Sequence, residues 1–284
     1  MWLAEFKRHL GFNRTASVAA YMLLSLTMVL FLSLISPFAH AESADQLFQR
    51  HSDSIVQIKV VDIASESKSA IGSGFLVADG RVIATNYHVI STLVNKPDRY
   101  RIEIENQGKR YTGLQVLDVD VVNDLALLSW QDGAGEPFML AQQMPRQGEM
   151  IFSFGNPMDI GMTVVPGTYN GIKEKSFFQR VHLTASVNPG MSGGPALTSR
   201  GEVVGINVST AGNQISFLVP VARLQALVAQ HQQRQQPVAD LDARIRRQLL
   251  AMERSMFSQI IASDWQEDQL GDARIIGEMA PSVV

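Results

Sequence analysis

The spacing of apolar side chains changes three times along this chain. Between Ala16 and Ala39 no charged residue interrupts a run dense in Leu, Met, Val and Phe. Residues 42 to 52 then turn polar and carry Leu47 and Phe48 as the apolar contacts of a short amphipathic helix. From Ser54 the period shortens to that of strands. Ile55, Val56, Ile58, Val60 and Val61 form the first run, a polar loop from Ser65 to Ser69 follows, and Gly72 to Val77 with Arg81 to Thr85 reads as a hairpin around Asp79-Gly80. Arg101 to Ile104 and Thr112 to Val116, joined by a turn at Gln107-Gly108, predict two more strands. Leu125 to Leu128, Glu149 to Phe154, Thr163 to Val165, Gln179 to Leu183, Glu202 to Val208 and Gln214 to Val219 continue the series. Around the Thr163 to Val165 run, the region between Gly155 and Phe178, with Gly161, Gly167, Tyr169 and Gly171, carries loops at the substrate side. After Pro220 the spacing becomes helical through Leu224, Leu227 and Val228. Past a Gln-rich hinge ending at Pro237, a second stripe runs through Leu241, Ile245, Leu249, Met252, Met256 and Ile260. Many short strands separated by Gly, Pro, Asp and Asn turns predict an all-β barrel architecture with a helical tail. The missing strand-helix alternation argues against an α/β-hydrolase.

Composition narrows the functional classes. Lys plus Arg number 24 against 27 Asp plus Glu, a balance that calls for no nucleic acid and no strongly acidic partner. Cysteine is absent, which removes disulfides, thiol nucleophiles and thiolate metal sites. The six histidines form no ligand cluster and no phosphate loop is present, so neither a metal nor a cofactor is expected. Lys7, Arg8 and Arg14 precede the apolar run, and Ala39-His40-Ala41 follows it with small residues at the positions a signal peptidase reads. Residues 1 to 41 therefore predict an export segment, either cleaved or kept as an inner-membrane anchor, and both outcomes place the remainder across the membrane.

Chemistry gathers at Asn188-Pro189-Gly190-Met191-Ser192-Gly193-Gly194-Pro195. A serine among small, flexible residues can stand on a sharp turn with its hydroxyl exposed and nearby N–H groups turned toward an attacked carbonyl. Such a serine needs a base, and His88 follows the strand ending at Thr85. The base needs an orienting acid. Asp124 opens the apolar run Leu125-Ala126-Leu127-Leu128, and a carboxylate entering a core strand requires donors or a cation. Asp118 and Asp120 read instead as a turn residue and a solvated or capping carboxylate. A Gly-rich loop, a core histidine and a capped aspartate are each ordinary taken singly. Together, in the order His88, Asp124, Ser192, they match one of the convergent catalytic arrangements, with the N–H groups of Gly190 and Ser192 as oxyanion donors.

From about Leu47 to Val228 the chain resembles the HtrA/Deg group of trypsin-like serine proteases. The likeness is carried by Gly72-Ser73-Gly74-Phe75, Thr85 to Val89, Asn123 to Leu127, Phe154-Gly155-Asn156-Pro157, Asn188 to Pro195, Gly205-Ile206-Asn207 and Phe217 to Pro220. The resemblance implies a two-barrel chymotrypsin-like fold over residues 42 to 230, with the barrel boundary near 143 to 148; the hinge and helical extension over 231 to 284 are read from the spacing alone. The resemblance also implies cleavage of unfolded or damaged envelope polypeptides. A slow or latent enzyme that mainly holds such polypeptides is the alternative. Met191 stands where the group usually has asparagine, Thr184 where aspartate is common, and Ser216 where glycine is common. The tail after Gln230 has neither the length nor the strand pattern of the PDZ domains the group commonly carries. Homo-oligomer formation, common in the group, would draw on Leu47 and Phe48. Ser186, six residues before Ser192, takes the pocket-floor position with Ile206 as a wall, which implies an uncharged, small or aliphatic P1 residue.

Overall fold

A computed structural model of the chain describes residues 41–133, 135–173, 178–210, 212, 214–262 and 267–276. The apolar segment of residues 16 to 39 and the basic residues before it lie outside the described residues. Among the described residues, no helix is long and apolar enough to cross a membrane.

Helix α1 (Ala44–His51) starts at Ser43, where a capping box with Gln46 satisfies the first free N–H groups. Strands β1 (Ile55–Asp62), β2 (Lys68–Val77) and β3 (Val82–Thr85) follow, then helix α2 (Tyr87–Asn95). β4 (Tyr100–Asn106), β5 (Lys109–Tyr111), β6 (Val116–Asp120) and β7 (Leu125–Ser129) complete a seven-stranded antiparallel sheet ordered β5-β4-β1-β2-β3-β7-β6. The second half holds β8 (Met150–Gly155), β9 (Thr163–Ile172), β10 (Val181–Thr184), β11 (Pro195–Thr198), β12 (Val203–Thr210) and β13 (Ser216–Pro220). These six close into a barrel, with β9 hydrogen-bonded to β10. Helix α3 (Val221–Arg234) and helix α4 (Leu241–Ala262) come next, and β14 (Glu267–Leu270) pairs with β15 (Ala273–Ile276) as a hairpin.

Each half has its own core. Ile58, Leu76, Ile83, Ile104 and Leu128 fill the first, while Ile151, Val181, Leu183, Val204 and Leu218 fill the second. A third cluster, including Phe75, Leu125, Phe154, Leu197 and Leu224, joins the two halves and the inner face of α3. This is the two-barrel chymotrypsin-like architecture. Leu47 is fully buried in the joining cluster, so it is unavailable to a partner subunit.

Several elements differ from the sequence pattern. Thr112 to Val116 is mostly irregular, because β5 stops at Tyr111 and β6 starts at Val116. β9 runs through Pro166, Gly167 and Gly171, residues that read locally as loop, because β8 and β10 hold it on both edges. Asp118 is neither a turn residue nor solvated. It is fully buried in β6, where Arg234 and Arg244 neutralise it at 2.8 and 3.2 Å.

Candidate active site

The first turn of α2 and the turn ahead of β7 build one half of the site. A helix leaves its first N–H groups without intrahelical partners. The carboxylate of Asp124 takes one of them: the His88 N–H donates to Oδ1 at 2.8 Å, while Oδ2 lies 2.7 Å from His88 Nδ1. Asn86, fully buried at the N-cap, donates from Nδ2 to the Asp124 carbonyl at 2.8 Å. Asp124 has φ 63, a left-handed conformation that aspartate tolerates better than most residues. Asp120 supports that bend, accepting from the Asn123 N–H at 3.0 Å and from Asn123 Nδ2 at 2.7 Å. The histidine side chain is 48% exposed and the aspartate 19%, so the ring reaches the surface while its acid is shielded.

The serine turn approaches α2 beside Gly72 of β2. A Cβ at Gly72 would stand 2.6 Å from the Val89 side chain and 3.1 Å from the Ser192 carbonyl, so α2 and the serine turn close on the same point of β2 and leave no room there for a side chain. The Ser192 carbonyl accepts from the Ser73 N–H at 2.8 Å. Its hydroxyl donates to the Val208 carbonyl at 3.5 Å, the outer limit of a hydrogen bond, and no described hydrogen bond joins it to His88.

From Pro189 to Gly194 most of the backbone polar groups are committed. The Pro189 carbonyl accepts from the Met158 N–H at 2.9 Å, and the Gly190 carbonyl accepts from Ser73 Oγ at 2.7 Å. The Met191 N–H donates to the Asn188 carbonyl at 3.0 Å, and the Met191 carbonyl accepts from the Gly194 N–H at 3.0 Å. The Gly193 N–H donates to the Asn207 carbonyl at 2.9 Å. Between Pro189 and Gly194 two donors are left over, the N–H groups of Gly190 and Ser192. In a trans peptide the N–H points opposite to the preceding carbonyl, so holding the Pro189 and Met191 carbonyls aims both donors the other way. Gly190 has φ 96, and a Cβ there would strike the Asn156 carbonyl, so the turn requires glycine.

Ser73 and Asn207 carry more of this geometry than their sequence context suggests. Both are fully buried. Ser73 Oγ also accepts from the Asn156 N–H at 3.0 Å, and Asn207 Nδ2 donates to the Phe154 carbonyl at 2.9 Å. Their only sequence signal is their place inside the quoted Gly-Ser-Gly and Gly-Ile-Asn motifs. Met191 does not intrude on the cleft. Its side chain is fully buried in the second barrel's core, with Gly155 giving it room.

The two pocket residues part company. Ser186 is exposed, between buried Ala185 and Val187. Buried Ser216 stitches this segment, its hydroxyl donating to the Ala185 carbonyl at 2.8 Å and accepting from the Val187 N–H at 3.4 Å. Ile206, expected as a pocket wall, is instead fully buried in the joining core, where β12 pairs it with Pro195 and Val219. The strand's contact with the serine is made two residues on, at the Val208 carbonyl. Nearby, burial lowers the Arg180 pKa while Asp124 and Asp120 pull it up, and burial raises that of Tyr87 with help from Asp242 and Asp124.

Comparison with known proteins matches the same segments. The trypsin-like peptidase domain family matches residues 72–206. The chain is 31% identical over 180 residues to the serine protease HTRA1 of Xenopus laevis, a match covering 60% of this chain and 38% of the relative. It is 34% identical over 182 residues to the serine protease HTRA1A of Danio rerio, covering 61% and 37%. The chain thus spans less than half the length of these curated relatives. The serine endoprotease from Yersinia pestis superposes with a TM-score of 0.59 at 25% identity, over 68% of each chain. Deg5 superposes with a TM-score of 0.56 at 28% identity, over 64% of this chain and 90% of that one.

Proposed function

Because the chain carries a trypsin-like peptidase domain of the HtrA type, we propose that it is a serine endopeptidase working through His88, Asp124 and Ser192. The observation that carries this reading is the pair of uncommitted N–H groups at Gly190 and Ser192, beside a histidine already oriented by Asp124. Ser192 Oγ attacks the scissile carbonyl as His88 Nε2 accepts its proton, and the carbonyl oxygen becomes an anion facing the two donors. One such donor is worth about 3 kcal/mol of transition-state stabilisation. His88 then returns the proton to the departing amine, an acyl-enzyme forms on Ser192, and water repeats the sequence to release the acid. Asp124 fixes the tautomer that leaves Nε2 free to accept and stabilises the imidazolium.

The substrates are unfolded or flexible polypeptides of an envelope compartment, a reading supported by the apolar segment ahead of the domain. An uncharged P1 residue suits exposed Ser186, which offers no carboxylate to a basic side chain. A second reading, slow turnover with polypeptide holding, is favoured by the Ser192 hydroxyl lying toward Val208 rather than His88. Time-resolved cleavage of unfolded casein by the wild-type chain and Ser192→Ala separates the two. Cleavage by wild type alone supports the endopeptidase. Equal protection of an aggregating substrate by both, without cleavage, supports holding and overturns the first reading.

A further inference from the structure

β6 lies at the edge of its sheet, and an edge strand presents alternate backbone groups with no neighbour to bond them. In this chain the C-terminal tail takes them up. The Leu117 carbonyl accepts from the Val238 N–H at 2.9 Å. The Val119 carbonyl accepts from Gln248 Nε2 at 2.7 Å, and the Val121 N–H donates to Gln248 Oε1 at 2.9 Å. One glutamine amide thus supplies the donor and the acceptor that a neighbouring strand would have supplied. Between these contacts buried Asp118 holds Arg234 and Arg244, and Leu241 and Ile245 pack on the first barrel's core.

Val121 is also where β6 leaves its ladder and bends toward Asp124. From there the chain reaches His88 through Asn123, bonded back to Asp120, and the left-handed Asp124, with no strand pairing from Val121 to Asp124. We propose that the tail is a positioning element for Asp124, with Gln248 setting where the Asp120–Asp124 turn leaves the sheet. The inference rests on the catalytic reading of His88 and Asp124. Its physical basis is that a misplacement of about 1 Å far from the reacting atoms can cost about a hundredfold in rate. A tail that only covered the edge would contribute to stability and leave turnover per folded molecule unchanged.

The test uses the full chain carrying Gln248→Met, which keeps length and apolar bulk but removes both hydrogen bonds. Gln259→Met, on the exposed distal part of α4, is the control. Two quantities are read: the kcat and KM of casein-derived peptide cleavage, and the low-field proton resonance of His88 Nδ1, assigned by its loss in Asp124→Ala. The expected result is kcat lower by about tenfold, KM within about twofold, and a broadened or shifted resonance, with Gln259→Met like the parent. Unchanged kcat and resonance in a folded Gln248→Met overturn the proposal. If Gln248→Met does not fold, Gln248→Glu retains the bond from Val121 and loses the one to Val119, and the same two readings apply. If the parent shows no Ser192-dependent turnover, the protease reading fails by itself, and the resonance alone decides whether Gln248 positions Asp124.

Discussion

Asp124 spends one carboxylate on two partners, capping α2 through the His88 N–H and orienting the imidazole through Nδ1. The two roles separate by substitution. Asp124→Asn keeps an acceptor for the helix N–H but turns an amide N–H₂ toward Nδ1 and favours the wrong tautomer. Thermal unfolding should hardly move while kcat falls by about 10⁴. Asp124→Ala should lose a similar amount of rate and, in addition, about 1 kcal/mol of stability with the cap. The pairing of His88 with Asp124 was legible in the sequence because a carboxylate entering a core strand requires a partner. The direction of a side chain was not. Ile206 was expected as a pocket wall, yet it points into the joining core, and Met191 of the serine turn points into the second barrel's core, because strand pairing and core volume decide which way a buried residue faces.

At the scale of elements, helix α2 and the interrupted strands escaped the pattern. α2 has nine residues, follows β3 almost directly, and receives its cap from Asp124, 36 residues away. No local sequence signal encodes such a cap. α1 was legible because its capping box and its apolar Leu47 are both local. That helix ends in a histidine whose environment makes a further prediction. His51 is buried, stacks on Phe138 at 4.6 Å, and leaves Nε2 without a partner. Burial, aided by the charge of Arg50, lowers its pKa below the ordinary histidine value. An unfolded chain then takes up a proton that the folded one refuses. Stability is therefore full above about pH 6.5 and falls as pH drops from there through the folded pKa. His51→Phe should flatten this acid-side loss, as measured by denaturant unfolding at about pH 7.5 and 5.5.

Across the whole molecule the two halves meet through the joining core and through Asp159. This carboxylate lies in the turn after β8, yet binds Lys68 at 2.5 Å, Gln57 at 2.8 Å and Lys59 at 3.5 Å, all in the first sheet. Lys68 and Gln57 hold its pKa at about 2. The tie is thus complete above about pH 4 and lost as pH falls toward 2. The preceding residue, Met158, supplies the N–H that holds the Pro189 carbonyl away from the anion donors. Asp159→Ala should weaken binding of a peptidyl boronate, which mimics the tetrahedral anion, by about tenfold while leaving affinity for cleaved product unchanged. Turn spacing made the barrel class readable, but not the docking of the tail. Asp118 read as a turn residue because its two arginines stand 116 and 126 residues further along the chain. The same separation sets a clock for biosynthesis. Val119 is made 129 residues before Gln248, an interval of roughly 6 to 26 s at about 5 to 20 residues per second. For that time the nascent chain carries the strand edge beside Asp124 uncovered, so a half-made chain lacks the brace that a finished one has.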